Sequence, residues 1–210
     1  MLCLGALVAL TPALSAAQPA PTAALSPSVA ATVESEREPP LLLPPTLHAL
    51  GLMTAMRATE AYLWPHPFAE TNLAQMGWHY HRAFTLPPRW DGSQPLFRQD
   101  GDRWYINVIG HGAFGSELYL RARTCRHAPW QALLFTTLAS ATWEYAFEAN
   151  GVRPSGLDLM FTPAAGLVLG EARYLSWRSA RTLNRGPLRS ALTSLFDPFG
   201  ELERALGAPC

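Results

Sequence analysis

The sequence predicts a mainly α-helical fold, a compact bundle of about four to five helices behind a disordered N-terminal tether. Apolar and small residues recur at three- and four-residue steps between Asn107 and Glu171, which is the period of helices that pack in a core. A Pro-Pro pair and two Asp-Gly pairs occur over residues 84–105, which predicts a loop-rich segment before the central helices. With 210 residues, 49% of them hydrophobic, the chain can bury a sizeable core as one domain.

Two segments precede the predicted domain, which spans residues 46–210. Residues 1–17 form an apolar run that ends in small residues, a pattern typical of a signal segment removed on export. The basic start of such a segment is absent, so a plain apolar leader fits as well. Residues 18–45 are rich in Pro and Ala without a helical period, which predicts a disordered tether. We therefore expect an exported protein, periplasmic or envelope-associated, with association to the inner membrane as the alternative.

Charge and composition limit the partners. Lys+Arg and Asp+Glu number 16 each, so the chain lacks the basic excess typical of nucleic-acid-binding proteins. Charged residues make up 15% of the sequence, below the roughly 25% of soluble domains. So low a share of charged residues favours a protein that contacts a membrane surface or an envelope component, or one in which much of the chain is buried. If the leader is removed, Cys125 and Cys210 either pair or stay separate thiols, and the oligomeric state is left open.

Periodicity also predicts the region before the central helices. The pattern from Thr46 to Trp64 predicts a first helix that ends before Pro65. In the run Trp-His-Tyr-His, a strand would place His79 and His81 on one side, a spacing that binds a metal when a third ligand is present. Since no third ligand is identifiable nearby, a solvent-facing histidine pair is the favoured interpretation.

Three central helices are predicted next. The first begins near Asn107 or Gly110 and places His111 on a face of apolar and small residues. The second runs from Pro129 to Gly151, and its apolar run of about 13 residues is shorter than the ~20 needed to cross a bilayer.

The third central helix begins with a capping box. Ser155 and Asp158 have the S-x-x-D spacing in which each side chain caps the other residue's backbone. Gly166 and Gly170 make a small-residue face on which another helix can approach closely, and Glu171 follows directly.

Two further expectations concern the protein surface and the C-terminal region. Glu117 and Arg121 stand four residues apart, and we expect them to form an exposed ion pair. Residues 188–206 are predicted to form a last amphipathic helix that is interrupted at Asp197 and Pro198.

Five polar side chains interrupt the apolar segments and form the candidate site: His111, Glu144, Glu148, Asp158 and Glu171. Glu144 and Glu148 continue the apolar stripe of the second central helix, where like charges one turn apart repel and need partners if buried. We predict one buried polar cluster that contains His111 and Glu144. Histidine and carboxylates also bind divalent ions, but the pattern leaves metal and cofactor binding open.

Several short motifs follow one another over about 85 residues, the motif core 87–171. They are Pro-Pro-x-Trp-Asp at 87–91, Asn-x-x-Gly-His-x-x-x-Gly-Ser at 107–116, Trp-Glu-Tyr-x-x-Glu at 143–148 and Pro-Ser-x-x-Asp-Leu-x-x-Thr-Pro-x-x-Gly-x-x-x-Gly-Glu at 154–171. In this combination the chain resembles the DUF3943 family of bacterial proteins. The resemblance implies an exported or envelope-associated protein with a mainly helical core, and it implies no activity. The layout is also similar to that of the VanZ-like membrane proteins.

Two classes of function fit these residues. In the first, the protein is a structural or binding protein whose buried polar groups hold the helices in register, with an arginine such as Arg153 or Arg173 pairing an outer carboxylate. In the second, it is a hydrolase or transferase acting on a lipid or cell-wall substrate, with His111 as general base oriented by Glu144. A solvent-open cleft beside His111 would favour the enzyme, whereas a sealed site would favour the first class.

Overall fold

The computed structural model describes residues 39–208 and residue 210, and this part of the chain is helical and contains no β-strand. The mainly α prediction is therefore confirmed. Nine α-helical segments follow one another: α1 Leu43–Leu63, α2 Pro65–Phe68, α3 Leu73–Thr85, α4 Gly112–Thr124, α5 Pro129–Thr142, α6 Gly156–Ala165, α7 Glu171–Arg181, α8 Pro187–Phe196 and α9 Pro198–Ala205. Three π-helical turns adjoin them: Ile106–His111 before α4, Trp143–Phe147 after α5, and Gly166–Gly170 between α6 and α7.

Helix α4 is the centre of the bundle. Its residues Leu118, Tyr119 and Leu120 have no exposed surface, because α1, α5, α6, α7 and the π turn before α7 all pack against this helix. Phe114 and Leu118 of α4 share a hydrophobic cluster with residues of α1, α5 and the π turn after α5: Ala49, Met53, Ala139 and Trp143. The helix that carries His111 at its start is thus enclosed by the rest of the fold.

Glycines set the close approach of α4 to the α6–α7 segment. A Cβ atom added to Gly166 would lie 2.8 Å from the carbonyl oxygen of Gly115, and one added to Gly170 would lie 2.8 Å from Tyr119 Cβ. A Cβ on Gly115 would collide with the carbonyl oxygen of Thr162. The two segments therefore meet backbone to backbone, as the spacing of Gly166 and Gly170 predicts, and this contact brings the start of α4 against α6.

The run containing His79 and His81 is helical, so the strand interpretation is wrong. It lies within α3, whose first turn is capped by Asn72: the Asn72 side chain accepts hydrogen bonds from the backbone N–H groups of Ala74 and Gln75 at 3.0 and 3.4 Å. This cap gives acceptors to N–H groups of the first helical turn, which have no partner within the helix, and so favours a helix from this point.

The first helix begins earlier than predicted. Helix α1 begins at Leu43, and prolines at its first positions fit there because those N–H groups have no helical partner. The predicted helix start at Thr46 is therefore corrected by about one turn. The leader and most of the predicted tether lie outside the described residues.

Glu117 and Arg121 are buried, so the expectation of an exposed pair is wrong. Their exposed fractions are 4% and 1%. The guanidinium of Arg121 lies 3.1 Å from Asp197 Oδ1 and 3.2 Å from Glu203 Oε2, and Arg173 pairs with Glu117 at 2.8 Å. The pair therefore belongs to a buried ionic network that connects α4, α7, α9 and the residue before α9.

The C-terminal segments follow the prediction more closely. The last amphipathic stretch is interrupted at Asp197, which caps α9 by accepting a hydrogen bond from Gly200 N–H at 3.0 Å.

The Cys125 and Cys210 sulfurs form a disulfide. Of the two alternatives that the sequence left open, a pair or two separate thiols, the structure therefore has the pair.

Candidate metal centre

Three of the predicted site residues meet in the core. His111 ends the π turn before α4, Glu144 lies in the π turn after α5, and Asp158 lies in the first turn of α6. Their exposed fractions are 7%, 1% and 1%. Two of the three lie in π-helical turns. Such turns are rare in proteins overall, and those that do occur are often found at functional sites.

Potential ligand atoms converge between these side chains. His111 Nε2 lies 3.5 Å from Asp158 Oδ2, and one ligand atom each from His111, Glu144 and Asp158 lie within 4.8 Å of one another. The other ring nitrogen, His111 Nδ1, lies 3.0 Å from Thr162 Oγ1. A hydrogen bond at Nδ1 orients the imidazole and leaves Nε2 facing the carboxylates.

The predicted capping box is only half formed. Ser155 Oγ accepts a hydrogen bond from Asp158 N–H at 3.1 Å, as the motif predicts. The reciprocal donor, Ser155 N–H, instead donates to Glu144 Oε2 at 2.7 Å. Because Glu144 takes this role, the Asp158 carboxylate is not used in capping and faces His111.

Two carboxylate oxygens at the centre are buried without a hydrogen-bond partner among the described residues. They are Glu144 Oε1 and Asp158 Oδ1. A buried carboxylate oxygen without a donor is costly, so each such atom in a native fold calls for an explanation such as a proton or an ion.

Asp100 and Asn107 border the centre, and the candidate set omitted them. Ser155 Oγ donates to Asp100 Oδ2 at 2.8 Å, and Asn107 Nδ2 donates to Asp100 Oδ1 at 2.9 Å. The loop that carries Asp100 is held by Arg89, whose N–H donates to Pro154 O at 2.7 Å and whose carbonyl accepts from Gly156 N–H at 3.0 Å. Asn107 stands four residues before His111, and this spacing within the motif was a usable signal.

Burial and charge separate the proton affinities of these groups. Burial lowers the pKa of His111 to about 4, so the imidazole is neutral at neutral pH. Burial raises the pKa of Glu144 to about 8, and burial followed by the charges of Glu144 and Asp100 raises the pKa of Asp158 to about 9. Burial would also raise the pKa of Asp100, but hydrogen bonds from Ser155, the Asp102 N–H and Asn107 outweigh it and hold this pKa below its usual value.

The remaining two predicted residues lie apart from the convergence point. Glu148 is half-buried, and burial followed by the charge of Glu144 raises its pKa well above the usual value. Glu171 pairs with Arg123 through two bonds of 2.8 and 3.2 Å. Arg173, one of the two arginines suggested as a partner for an outer carboxylate, instead binds Ser116 and Glu117.

The donor set suits a first-row divalent metal ion. A neutral imidazole nitrogen and two carboxylates are ligands of Zn²⁺, Mn²⁺ and Fe²⁺. Ligands bound at about 2.0–2.2 Å lie roughly 3–4 Å from one another. The 3.5 Å between His111 Nε2 and Asp158 Oδ2 falls in this range. Asp100, Asp102 and Asp158 form a second group of carboxylates within 4.8 Å.

A family model described as "Domain of unknown function (DUF3943)" matches residues 96–199. The matched segment contains all five predicted site residues together with Asp100 and Asn107. No curated protein and no solved structure matches the chain.

Proposed function

Because this chain belongs to the DUF3943 family, whose description assigns no function, we propose one from the geometry of the centre: the protein binds a divalent cation through His111, Glu144 and Asp158. The unpartnered atoms Glu144 Oε1 and Asp158 Oδ1 carry the proposal. A cation bound by the two carboxylates and by His111 Nε2 would give both unpartnered side chains a partner at the centre.

The cation would tie together segments that are distant in sequence. The three ligands come from the starts of α4 and α6 and from the end of α5, so one ion would fix the relative position of three helices. His111 Nδ1 already has Thr162 as a partner, and Glu144 Oε2 already has Ser155 N–H, which leaves His111 Nε2 and Glu144 Oε1 for the ion. This pattern supports a structural or binding role.

The hydrolase or transferase alternative has less support. A general base needs access to a substrate and a pKa near the working pH. His111 is 7% exposed and its pKa is lowered by burial to about 4. A cavity of about 520 Å³ borders Gly112 and Arg173 and contains no ligand of the centre in its lining.

Metal content of the purified protein tests the proposal. The full chain is purified without chelator, dialysed, and assayed for bound metals by mass spectrometry, followed by thermal unfolding with added Zn²⁺, Mn²⁺ or Mg²⁺. One transition-metal ion per chain is expected, and an ion at a hundredfold excess over its Kd should stabilise the fold by about 2.7 kcal/mol.

Matched variants locate the site. Glu144→Gln and Asp158→Asn should lose the metal and the thermal shift. Glu171→Gln removes a carboxylate that pairs with Arg123 outside the centre, so it should keep both. The proposal would be contradicted if the wild type contained no metal and no added ion stabilised it, or if Glu171→Gln lost as much metal as the other two variants. The polar groups of the centre would then be held by hydrogen bonds and shared protons alone.

Association with a membrane surface is the second part of the proposal. Between Pro129 and Thr142 and between Leu159 and Gly170 the chain has no charged residue, and both segments expose large apolar side chains: Trp130, Leu134, Leu138, Met160, Leu167, Val168 and Leu169. Exposed apolar surface without charge suits contact with lipid. Among the described residues, no helix has the length and apolarity needed to cross a bilayer.

Flotation with lipid vesicles tests the membrane contact. Wild-type protein should float with neutral phosphatidylcholine vesicles, and Trp130→Ser with Leu134→Ser should remain at the bottom of the gradient. Fractionation of the native host cells tests export to the envelope, which rests on residues 1–17 and on the family resemblance. Recovery of the protein in the cytoplasm would contradict export. Vesicle binding that is equal in the wild type and the double variant would contradict the proposed membrane contact.

A further inference from the structure

A cavity of about 260 Å³ lies between α3, the segment that follows it and the loop before α6. Its lining combines three guanidinium groups, an imidazole and two loop residues: Arg82, Arg89, Arg153, His79, Gly151 and Val152. We infer that this cavity binds the phosphate group of a small ligand or a lipid. The inference does not depend on the metal centre, since none of the three ligands proposed there lines the cavity.

Two of the arginines are held in place by the surrounding chain. Arg89 Nε donates to the carbonyl oxygen of Arg153 at 3.1 Å, and Arg89 Nη2 donates to Asp102 Oδ2 at 3.0 Å. The guanidinium of Arg82 lies over the ring of Trp78, 4.4 Å from its centroid. Stacking on an aromatic face orients a guanidinium while its N–H groups remain free to donate.

The positive charge of the cavity exceeds the negative charge that faces it. Among the described residues, no carboxylate pairs with Arg82 or Arg153, and the buried Nε of Arg153 has no hydrogen-bond partner. Asp102 offsets one of the three guanidinium charges. Two of the three guanidinium charges in the lining therefore remain without a carboxylate partner within the described part of the chain.

These properties match a phosphate monoester. Its dianionic form carries two negative charges, which would balance the two positive charges that remain in the cavity lining. Its three terminal oxygens accept several hydrogen bonds at once. Each guanidinium group can bind two such oxygens with two parallel N–H donors, a geometry that a lysine does not provide. The cavity is smaller than the roughly 300–1,000 Å³ of drug-sized sites, so it would hold the phosphate group rather than a whole large ligand.

Calorimetry with glycerol phosphate tests the inference on the full chain after chelator treatment. Saturable binding is expected. Arg153→Gln and Arg82→Gln should each weaken this binding about tenfold or more, since each removes a charged donor. Arg98→Gln is the matched control, because Arg98 is exposed and lies outside the cavity. Arg153→Lys retains the charge without the planar donors and should bind more weakly than wild type.

A second arm distinguishes the source of the phosphate. Vesicles of phosphatidylcholine with and without phosphatidic acid are tested with the same variants, and circular dichroism confirms that each variant is folded. Arg-dependent binding to phosphatidic acid assigns a lipid headgroup, and Arg-dependent binding to glycerol phosphate alone assigns a soluble ligand; both support the inference. No saturable binding by either probe, or binding that is equal in wild type and in folded Arg153→Gln and Arg82→Gln, overturns it.

Discussion

Glu144 and Ser155 are joined by a 2.7 Å hydrogen bond in which Ser155 N–H donates to Glu144 Oε2. This bond replaces the second half of the predicted capping box, in which Asp158 would accept from Ser155 N–H. The end of α5 therefore caps α6, and Asp158 remains available to His111. The arrangement of the candidate metal centre depends on this exchange of partners.

Removing the Glu144 acceptor should destabilise the metal-free protein. In Glu144→Ala the Ser155 N–H stays buried without an acceptor, and we expect a loss of about 1–3 kcal/mol in the free energy of unfolding. In Glu144→Gln the amide oxygen can still accept from Ser155 N–H, so the loss should be much smaller. Chemical unfolding in the presence of chelator measures both values. Equal losses in the two variants would contradict the role given to the hydrogen bond.

The contact between Gly166 and Gly115 should be sensitive to one added methyl group. Gly166→Ala places a Cβ about 2.8 Å from the Gly115 carbonyl oxygen, and the resulting overpacking should cost about 1–3 kcal/mol. The melting temperature should fall by about 2–4 °C for each kcal/mol. Gly51→Ala in α1 is the control, since its Cβ would have no neighbour within 4 Å, and it should be neutral or stabilising. An unchanged melting temperature in Gly166→Ala would contradict the close contact.

The sequence predicts well what depends on local pattern. Helical periodicity locates the central helices, and the spacing of Gly166 and Gly170 predicts their close packing. Ser155 is recognisable as a helix cap from its position before an apolar helical run. These features follow from interactions within a few residues of one another, so they are encoded in short stretches of sequence.

Other features depend on distant parts of the chain. Asp100 lies in a loop without periodicity, and nothing local shows that it meets Ser155. An i,i+4 pair such as Glu117 and Arg121 looks the same on a buried face as on an exposed one. The π turn from Gly166 to Gly170 changes the helical phase before Glu171, so its side chain meets Arg123 of α4 instead of the cluster.

The buried ionic network should depend on Arg121. In Arg121→Met, Glu117 and Asp197 lose a guanidinium partner while staying buried, and we expect a loss of about 3 kcal/mol or more in unfolding free energy. Arg98→Met, at an exposed position, should change stability by less than about 0.5 kcal/mol. Similar small effects in both variants would show that the network contributes nothing beyond surface pairing.

Glu60 should make stability depend on pH. Burial raises its pKa to about 7, although Arg57 lies 3.5 Å away, so the folded protein holds this proton more tightly than the unfolded chain. Its stabilising contribution is complete below the unfolded pKa of about 4.3 and is lost as pH rises through 7. Glu60→Gln cannot lose a proton, so its stability relative to wild type should increase as pH rises from about 4.3 to about 7 and should then level off. The difference isolates Glu60, because all other groups titrate in both proteins; a difference that is constant with pH would contradict the shift.

Nitrogen NMR of the His111 side chain during Zn²⁺ addition tests the central claim most directly. If the ion binds at the proposed centre, His111 Nε2 should change its resonance up to one equivalent of Zn²⁺, while the exposed His81 ring should not change. Asp158→Asn should abolish the change at His111. A His111 resonance that stays constant while Zn²⁺ is added well beyond one equivalent would contradict the metal centre.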